Sequence, residues 1–371
     1  LHIKSITYFK YQEKLFMTSI SIPIENKRKS KIKIFVCSIR QNGVSIIICM
    51  FCIGLILYSN SSLKAAKDGL VLWATAVVPS LFPFFISIEL LSHTNIVKTL
   101  GKYLNPIMRP LFNVPGEGAF AFLMGLISGY PVGAKVVVKL FEQNIVTKDE
   151  AERLLAFTNN SGPLFIIGTV GIALFGSTNI GILLFITHIF ACVTGGIFLR
   201  FSSRHVNFTL TNGSDSNSSN STISLCNLGE LLGKSITNSI SSILTIGGFV
   251  VVFSVVISIL NQSGVLSIIT TLLSPILCYL GFPSELLSSL LIGVIELTNG
   301  VNASSNIHSL SISIITTSFL LGFGGFSVLL QVLSIISKAR LSIKSYIIGK
   351  LLQGIFAAFY TYLFISFGLF I

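Results

Sequence analysis

Long apolar stretches alternate with short polar ones along this chain. Asp, Glu, Lys and Arg are all absent from residues 154–199, 235–284 and 297–337. Each of these stretches is longer than the roughly 20 apolar residues that one helical crossing of a bilayer requires. Three shorter uncharged stretches lie at 41–63, 69–88 and 351–371. The pattern predicts an all-α polytopic membrane protein with about seven or eight full spans.

Composition and charge exclude other classes. The 371 residues are 52% hydrophobic and only 10% charged, whereas a soluble domain is roughly 25% charged. A transmembrane β-barrel would show segments of ~10 residues with alternating polarity, which the sequence lacks. The net charge of +12 comes from Lys and Arg in residues 1–40 and beside apolar stretches. Orientation in a lipid bilayer explains this distribution, so nucleic acid is not a predicted partner.

The amino-terminal residues suggest how the chain enters the membrane. Residues 1–33 are a basic extension that we expect in the cytoplasm, and 34–58 are the first predicted transmembrane helix. If 118–138 enters the membrane and returns without crossing, nearly all other basic residues fall on the cytoplasmic side. Those near the carboxyl end are Lys338, Arg340, Lys344 and Lys350.

A polar segment divides the rest of the chain into two comparable halves. Residues 202–224, rich in Ser and Asn, are predicted to be a flexible linker between repeats at 69–201 and 225–371. The halves are weakly self-similar, for example at Gly125 and Gly293. The crossing count gives them opposite orientations in the membrane. Inverted-topology repeats of this kind build many secondary transporters.

Each half contains two polar, Gly/Pro-rich breaks at membrane depth, at 128–135 and 158–163, and at 296–300 and 322–327. Unwound backbone in hydrocarbon leaves polar groups unpaired, so it survives only when it is buried or lines a wet cavity. Half-helices that start at the breaks would point N–H groups at an anionic solute. The breaks therefore predict one central site with re-entrant or broken helices. Alternatively, the Gly and Pro residues only kink helices or allow close packing.

The predicted substrate-binding and gate residues are Ser128, Gly129, Tyr130, Pro131, Gly133, Lys135, Thr158, Asn159, Asn160, Ser161, Gly162, Glu296, Thr298, Asn299, Gly324, Gly325, Ser327 and Gln331. Glu296 could bind a proton, a cation or the solute, or it could cap a short helix. Lys135 could neutralise a solute carboxylate or extend to the cytoplasmic face. His188 is expected to be a packing residue. Motifs for hydrolysis, metal binding or nucleotide binding are missing, so no enzyme, cofactor or metal is predicted.

The stretches Gly125–Lys135 and Glu150–Phe165 contain the strings Ser-Gly-Tyr-Pro-Val-Gly-Ala-Lys and Asn-Ser-Gly-Pro. They closely resemble the YlbJ family of sporulation integral membrane proteins from endospore-forming bacteria. The resemblance covers roughly residues 60–371 and is looser in the second half. That family carries the nucleoside-recognition Gate domain, which is related to the gates of concentrative nucleoside transporters and of a ferrous-iron transporter.

The resemblance implies a multi-pass protein of the outer forespore membrane, which derives from the mother cell. It implies transport of dipicolinic acid from the mother cell toward the forespore during sporulation. This planar dicarboxylate is chemically compatible with a site of helix N-termini and Lys135. A nucleoside-type transporter and a non-transporting scaffold for spore assembly stay open as alternatives. The sequence also leaves the oligomeric state open, a homo-oligomer included.

Overall fold

Helices are the regular elements of this computed structural model, which describes residues 42–91, 94–200, 225–279, 281 and 283–368. The predicted all-α class is confirmed. Helix α1 spans Asn42–Leu57 and lies within the predicted first transmembrane helix. The basic extension at 1–33 and the linker at 202–224 lie outside the described residues.

The described residues from Asn60 onward form one compact unit that contains both halves. The helices up to the linker are α2 Ser59–Leu72, π1 Trp73–Val77, α3 Val78–Leu91, α4 Ile96–Phe112, α5 Gly118–Ser128, α6 Val132–Glu142, α7 Lys148–Thr158, π2 Leu164–Leu174 and α8 Thr178–Arg200, where π marks a π-helix. Helix α7 begins with a capping box, in which the Thr147 and Glu150 side chains bond to each other's backbone N–H groups.

The second half repeats the element order of the first. Its helices are α9 Leu225–Gln262, α10 Val265–Tyr279, α11 Ser284–Ile295, α12 Leu297–Ser305, α13 Leu310–Phe323, α14 Gly325–Ile336 and α15 Lys344–Ser366. Counted from α3, each half has seven elements, and π2 corresponds to α14. The repetition agrees with a duplicated unit.

Among the residues that the structure describes, four helical stretches are long and apolar enough to cross a membrane. They are Thr178–Arg200, Leu228–Gln262, Leu310–Ile336 and Lys344–Ser366, and a fifth is reached if Asn42–Leu57 and Ser59–Thr75 count as one span. Shorter apolar helices of 10–17 residues, such as Gly118–Ser128 and Leu164–Leu174, accompany them. A polytopic membrane protein is therefore the right class, and many of its apolar segments are short because Gly, Pro and polar residues interrupt them.

Each half contains a helical hairpin that only glycine permits. A Cβ placed on Gly125 of α5 would lie 3.1 Å from the Gly133 Cα of α6. A Cβ placed on Gly300 of α12 would lie 2.0 Å from the Gly293 Cα of α11. Small residues allow such close backbone approach between helices in membranes.

The two halves pack on each other in a reciprocal way. Helix α6 of the first half contacts α14 of the second, and α12 of the second contacts π2 of the first. In the same manner α7 contacts α15, and α13 contacts α8. A hydrophobic core that includes Ile166, Leu184, Ile314 and Leu320 is shared between the halves. The equivalent contacts indicate a two-fold relation between the halves.

Candidate functional site

All four predicted breaks are present. Helix α5 ends at Ser128 and α6 starts at Val132, while α7 ends at Thr158 and residues 159–162 are non-helical. In the second half, Glu296 separates α11 from α12, and Gly324 separates α13 from α14.

The breaks contact one another in a continuous series. A Cβ on Gly129 would lie 2.9 Å from the Gly162 nitrogen, so the two breaks of the first half touch. The Tyr130 hydroxyl donates to the Leu321 carbonyl oxygen at 3.0 Å, which joins the first half to the end of α13. A Cβ on Gly325 would lie 2.8 Å from a carbonyl oxygen of α11, Gly293 O. The interruptions therefore form one contiguous region of backbone.

A cavity of about 340 Å³ lies beside this region, between α3, α6, α9 and α14. Three of the predicted site residues line it: Pro131, Lys135 and Gln331. Helices α3 and α6 come from the first half, and α9 and α14 come from the second. Ligand pockets for small molecules have volumes of roughly 300–1,000 Å³, so the cavity can hold a compact solute.

Lysines outnumber glutamates in the cavity wall. Its ionisable residues are Lys135, Lys139, Lys338, Glu89 and Glu142. The Lys135 Nζ donates to the Ser242 Oγ at 2.8 Å and lies 5.1 Å from the centre of the Phe85 ring. The Lys139 Nζ forms an ion pair with the Glu89 Oε1 at 3.1 Å. A concave, net positive surface with an aromatic wall attracts anions that carry a ring.

Glu296 lies outside the cavity wall and caps helix α12. Its carboxylate oxygens accept from the Thr298 nitrogen at 3.0 Å and from the Asn299 nitrogen at 2.7 Å. The sequence led us to expect helix N-termini that face a solute. At the N-terminus of α12, the Glu296 carboxylate occupies the position expected for the anionic solute, because a helix N-terminus favours any nearby anion.

The break after α7 holds a second group of polar side chains, away from the residues of the cavity wall. The Asn159 Nδ2 donates to the Tyr346 hydroxyl oxygen at 3.2 Å. The Asn160 Nδ2 donates to the Phe157 carbonyl oxygen at 2.8 Å, and the Ser161 nitrogen donates to the His188 Nε2 at 3.3 Å. Thus His188 packs in the interior and also holds the backbone of the break.

Other predicted site residues form the packed walls of the breaks. Ser128, Gly133, Thr158, Gly162, Gly325 and Ser327 are all buried. They position the backbone of the breaks, and none of them belongs to the lining of the cavity.

Two residues of α15 were not among the predicted site residues. Charge counting groups Lys350 with the cytoplasmic residues, but its exposed fraction is 1%, as is that of Gln353. The Lys350 Nζ donates to the Gln353 Oε1 at 2.6 Å, and the Gln353 Nε2 donates to the Asn160 Oδ1 at 3.0 Å. A signal for them was available, because Tyr346, Lys350 and Gln353 follow a helical spacing on one face of an apolar helix.

The fold and the cavity define a polytopic membrane protein built from two similar halves whose broken helices meet. A family model described as Gate, nucleoside recognition, matches residues 74–203 and again 243–368. The chain is 38% identical over 321 residues to the sporulation integral membrane protein YlbJ of Bacillus subtilis (strain 168), which covers 82% of this chain and 78% of that protein. The chain therefore belongs to the YlbJ family of Gate-domain membrane proteins. No solved structure matches it.

Proposed function

We propose that this protein is a transporter of a small anionic solute, which binds in the cavity between α3, α6, α9 and α14. One observation carries the proposal: both halves line the cavity, with Pro131 from a break of the first half and Gln331 from the helix that follows a break of the second. In transporters with internal repeats, substrate sites lie at the repeat interface and are formed by discontinuous helices. An inverted relation between the halves is part of this proposal.

The chemistry of the wall favours an anion with a flat ring. Lys135 donates to Ser242, a neutral hydroxyl, while the nearby Glu89 carboxylate is paired with Lys139, so the Lys135 ammonium can also pair with a solute carboxylate. The partly buried Ile335 provides an apolar side chain beside the lysines that a ring can contact. The distribution of basic residues supports a cytoplasmic position for Lys135, Lys139 and Lys338, and with it a cavity that opens to the cytoplasm.

Dipicolinic acid fits this description, since it is a planar ring with two carboxylates at neutral pH. The relative YlbJ is a sporulation integral membrane protein by its name, which supports a role for this chain in spore formation. We place it in the outer forespore membrane, where the cytoplasm is that of the mother cell. The solute then moves from the mother cell toward the forespore.

A nucleoside is the second candidate, because the matching family model is described as nucleoside recognition. The Gln331 amide in the cavity wall can donate and accept hydrogen bonds with a base or a ribose. A nucleoside carries no charge, so its binding would not depend on Lys135.

The test is exchange of labelled dipicolinate in proteoliposomes that contain the full chain. We expect Lys135→Gln to lower exchange about 10-fold or more, because a charge-assisted hydrogen bond is lost. The control is Lys102→Gln, at an exposed lysine of α4, which should leave exchange unchanged.

Other outcomes of the same assay separate the alternatives. Exchange of labelled uridine without exchange of dipicolinate would favour a nucleoside transporter. If neither solute exchanges while spores that lack the chain still fail to assemble, the scaffold hypothesis replaces transport. The corresponding test in cells compares the dipicolinate content of spores that contain the chain with that of spores that lack it.

A further inference from the structure

Lys350 is an ionisable residue buried in the protein interior. It lies on the inward face of α15, together with Tyr346, Gln353 and Thr361. Its Nζ contacts the Gln353 Oε1 at 2.6 Å, the Asn160 Oδ1 at 3.4 Å, and the face of the Tyr130 ring at 5.1 Å from its centre. All three contacts are electrically neutral.

The elements packed around Lys350 bring no carboxylate to it within the described ranges. Helix α8 contributes His188 and Cys192, the first break contributes Tyr130, and α15 itself contributes Tyr346. Helix α13, which packs on α15, has no ionisable side chain between residues 310 and 323.

Helix α7 also packs on α15, but its three acidic residues lie in its first half and have other surroundings. Asp149 is exposed, and Glu150 forms an ion pair with Arg109 at 3.1 Å. The Glu152 Oε1 accepts from the Ser342 nitrogen at 2.8 Å, before α15 begins. The next residue, Arg153, is a further cation on α7. Other lysines do have acidic partners, for example Lys139 with Glu89 and Lys234 with Glu230. Lys350 therefore lacks the ion pair that a permanently charged, buried lysine needs.

The side chains around Lys350 can form hydrogen bonds both when its amine is charged and when it is neutral. The amide groups of Asn160 and Gln353 each carry an acceptor oxygen and a donor NH₂ group. The Asn160 Oδ1 already accepts from the Gln353 Nε2 at 3.0 Å and from the Cys192 Sγ at 3.0 Å. When the amine is neutral, these bonds keep the amides satisfied. An intramembrane ionisable residue in such a setting marks an ion or proton pathway.

Tyr130 connects Lys350 to the proposed transport site. Its ring lies against the Lys350 ammonium, its hydroxyl bonds to the Leu321 carbonyl at the other half, and the next residue, Pro131, lines the cavity. A displacement of this break would open a path between the cavity and Lys350. Tyr130 thus contacts the buried amine directly and precedes, in the chain, a residue of the cavity wall.

We propose that Lys350 is the proton-binding residue of the transport cycle, so that a proton crosses together with the anionic solute. Water delivers the proton to the neutral amine when the break opens, and the resulting ammonium pairs with one carboxylate of the solute. On the far side the solute leaves and the ammonium returns its proton to water. This inference rests on the proposed function.

The experiment uses proteoliposomes with a trapped pH-sensitive dye and with the membrane potential held at zero by potassium and valinomycin. In wild-type protein, dipicolinate uptake should acidify the lumen, and a gradient of one pH unit, acid outside, should raise accumulation about tenfold. Lys350→Met should exchange dipicolinate more slowly than wild type, because the ammonium that pairs with the solute is absent, and it should lose both proton movement and gradient-driven accumulation. Lys344→Met, at an exposed lysine of the same helix, should behave like wild type.

The outcomes distinguish this inference from the proposed function. Wild-type exchange without proton movement, or full gradient-driven accumulation by Lys350→Met, overturns the role of Lys350 and leaves transport intact. Absence of any exchange by wild type overturns both. If Lys350→Met does not fold, Lys350→Gln takes its place, and the proton movement of wild type still decides whether a proton is coupled.

Discussion

Gly133 offers a sharp test of the packing between the first two breaks. A Cβ placed there would lie 2.1 Å from the Thr158 carbonyl oxygen and 2.9 Å from the Asn159 Cα. Ordinary contact begins at 3.4 Å, and the obstructing atoms are backbone, which cannot rotate away. Gly133→Ala must therefore displace α6 from the break after α7 by more than about 1 Å.

The change in the free energy of unfolding caused by Gly133→Ala is the sum of two opposing contributions. Overpacking of a well-packed interior costs about 1–3 kcal/mol, and a clash with backbone belongs at the upper end of that range. Alanine is better than glycine in a helix by about 1 kcal/mol, which offsets part of the loss. We expect a net destabilisation of about 2 kcal/mol and a loss of solute exchange, because Lys135 is carried on the displaced helix.

The matched control is Gly195 in α8, which is buried but has no neighbouring atom within 4 Å of the point that a Cβ would occupy. Gly195→Ala should gain helix propensity without a clash, so it should stabilise the protein by up to about 1 kcal/mol. The assay is the thermal midpoint in detergent, followed by size-exclusion chromatography with fluorescence detection. The reasoning is refuted if both substitutions shift the midpoint in the same direction.

Three further experiments test other contacts in the protein. Glu296→Ala should destabilise the protein by about 1 kcal/mol, as loss of a helix cap does, and the thermal midpoint measures it; an unchanged midpoint would contradict the capping role. Glu89→Gln should leave Lys139 unpaired in the cavity. The KM for an anionic solute should then fall about two- to fivefold at low salt and by less at high salt. A raised KM would show instead that the ion pair organises the site. The Thr361 and Thr187 hydroxyl oxygens lie 3.0 Å apart. A double-mutant cycle with Val at each position should give a coupling free energy of about 0.6 kcal/mol. Strictly additive effects on the free energy of unfolding would mean that the contact contributes nothing.

The breaks could be predicted from the sequence because their signal is local. Gly129 and Pro131 lie together with polar residues and so disfavour a continuous helix, whereas Pro83 alone lies inside helix α3. The polar run that begins at Asn159 gives a similar signal. The sequence similarity between the halves is weak, but it places the breaks of the two halves at corresponding positions. Residue type and membrane depth were therefore sufficient to locate where the helices end.

The partners of these residues could not be predicted in this way, because they depend on contacts between distant segments. Glu296 lies close in sequence to the N–H groups that it caps. The sequence alone, however, does not distinguish an intramembrane carboxylate that caps a helix from one that binds a solute. Lys350 follows basic residues near the start of the last helix, so charge counting placed it at the cytoplasmic surface. Only the packing of α15 against the break at Asn160 shows that it is buried.

The reciprocal packing of the two halves bears on how the protein is made. A ribosome adds roughly 5–20 residues per second, so the first half waits on the order of ten seconds or longer before α13 and α15 emerge. Until then α7 and α8 lack their neighbours, and Asn160 and His188 face lipid or an insertase in place of Gln353. Membrane insertion must therefore proceed while these polar groups of the first half still lack their partners in the second.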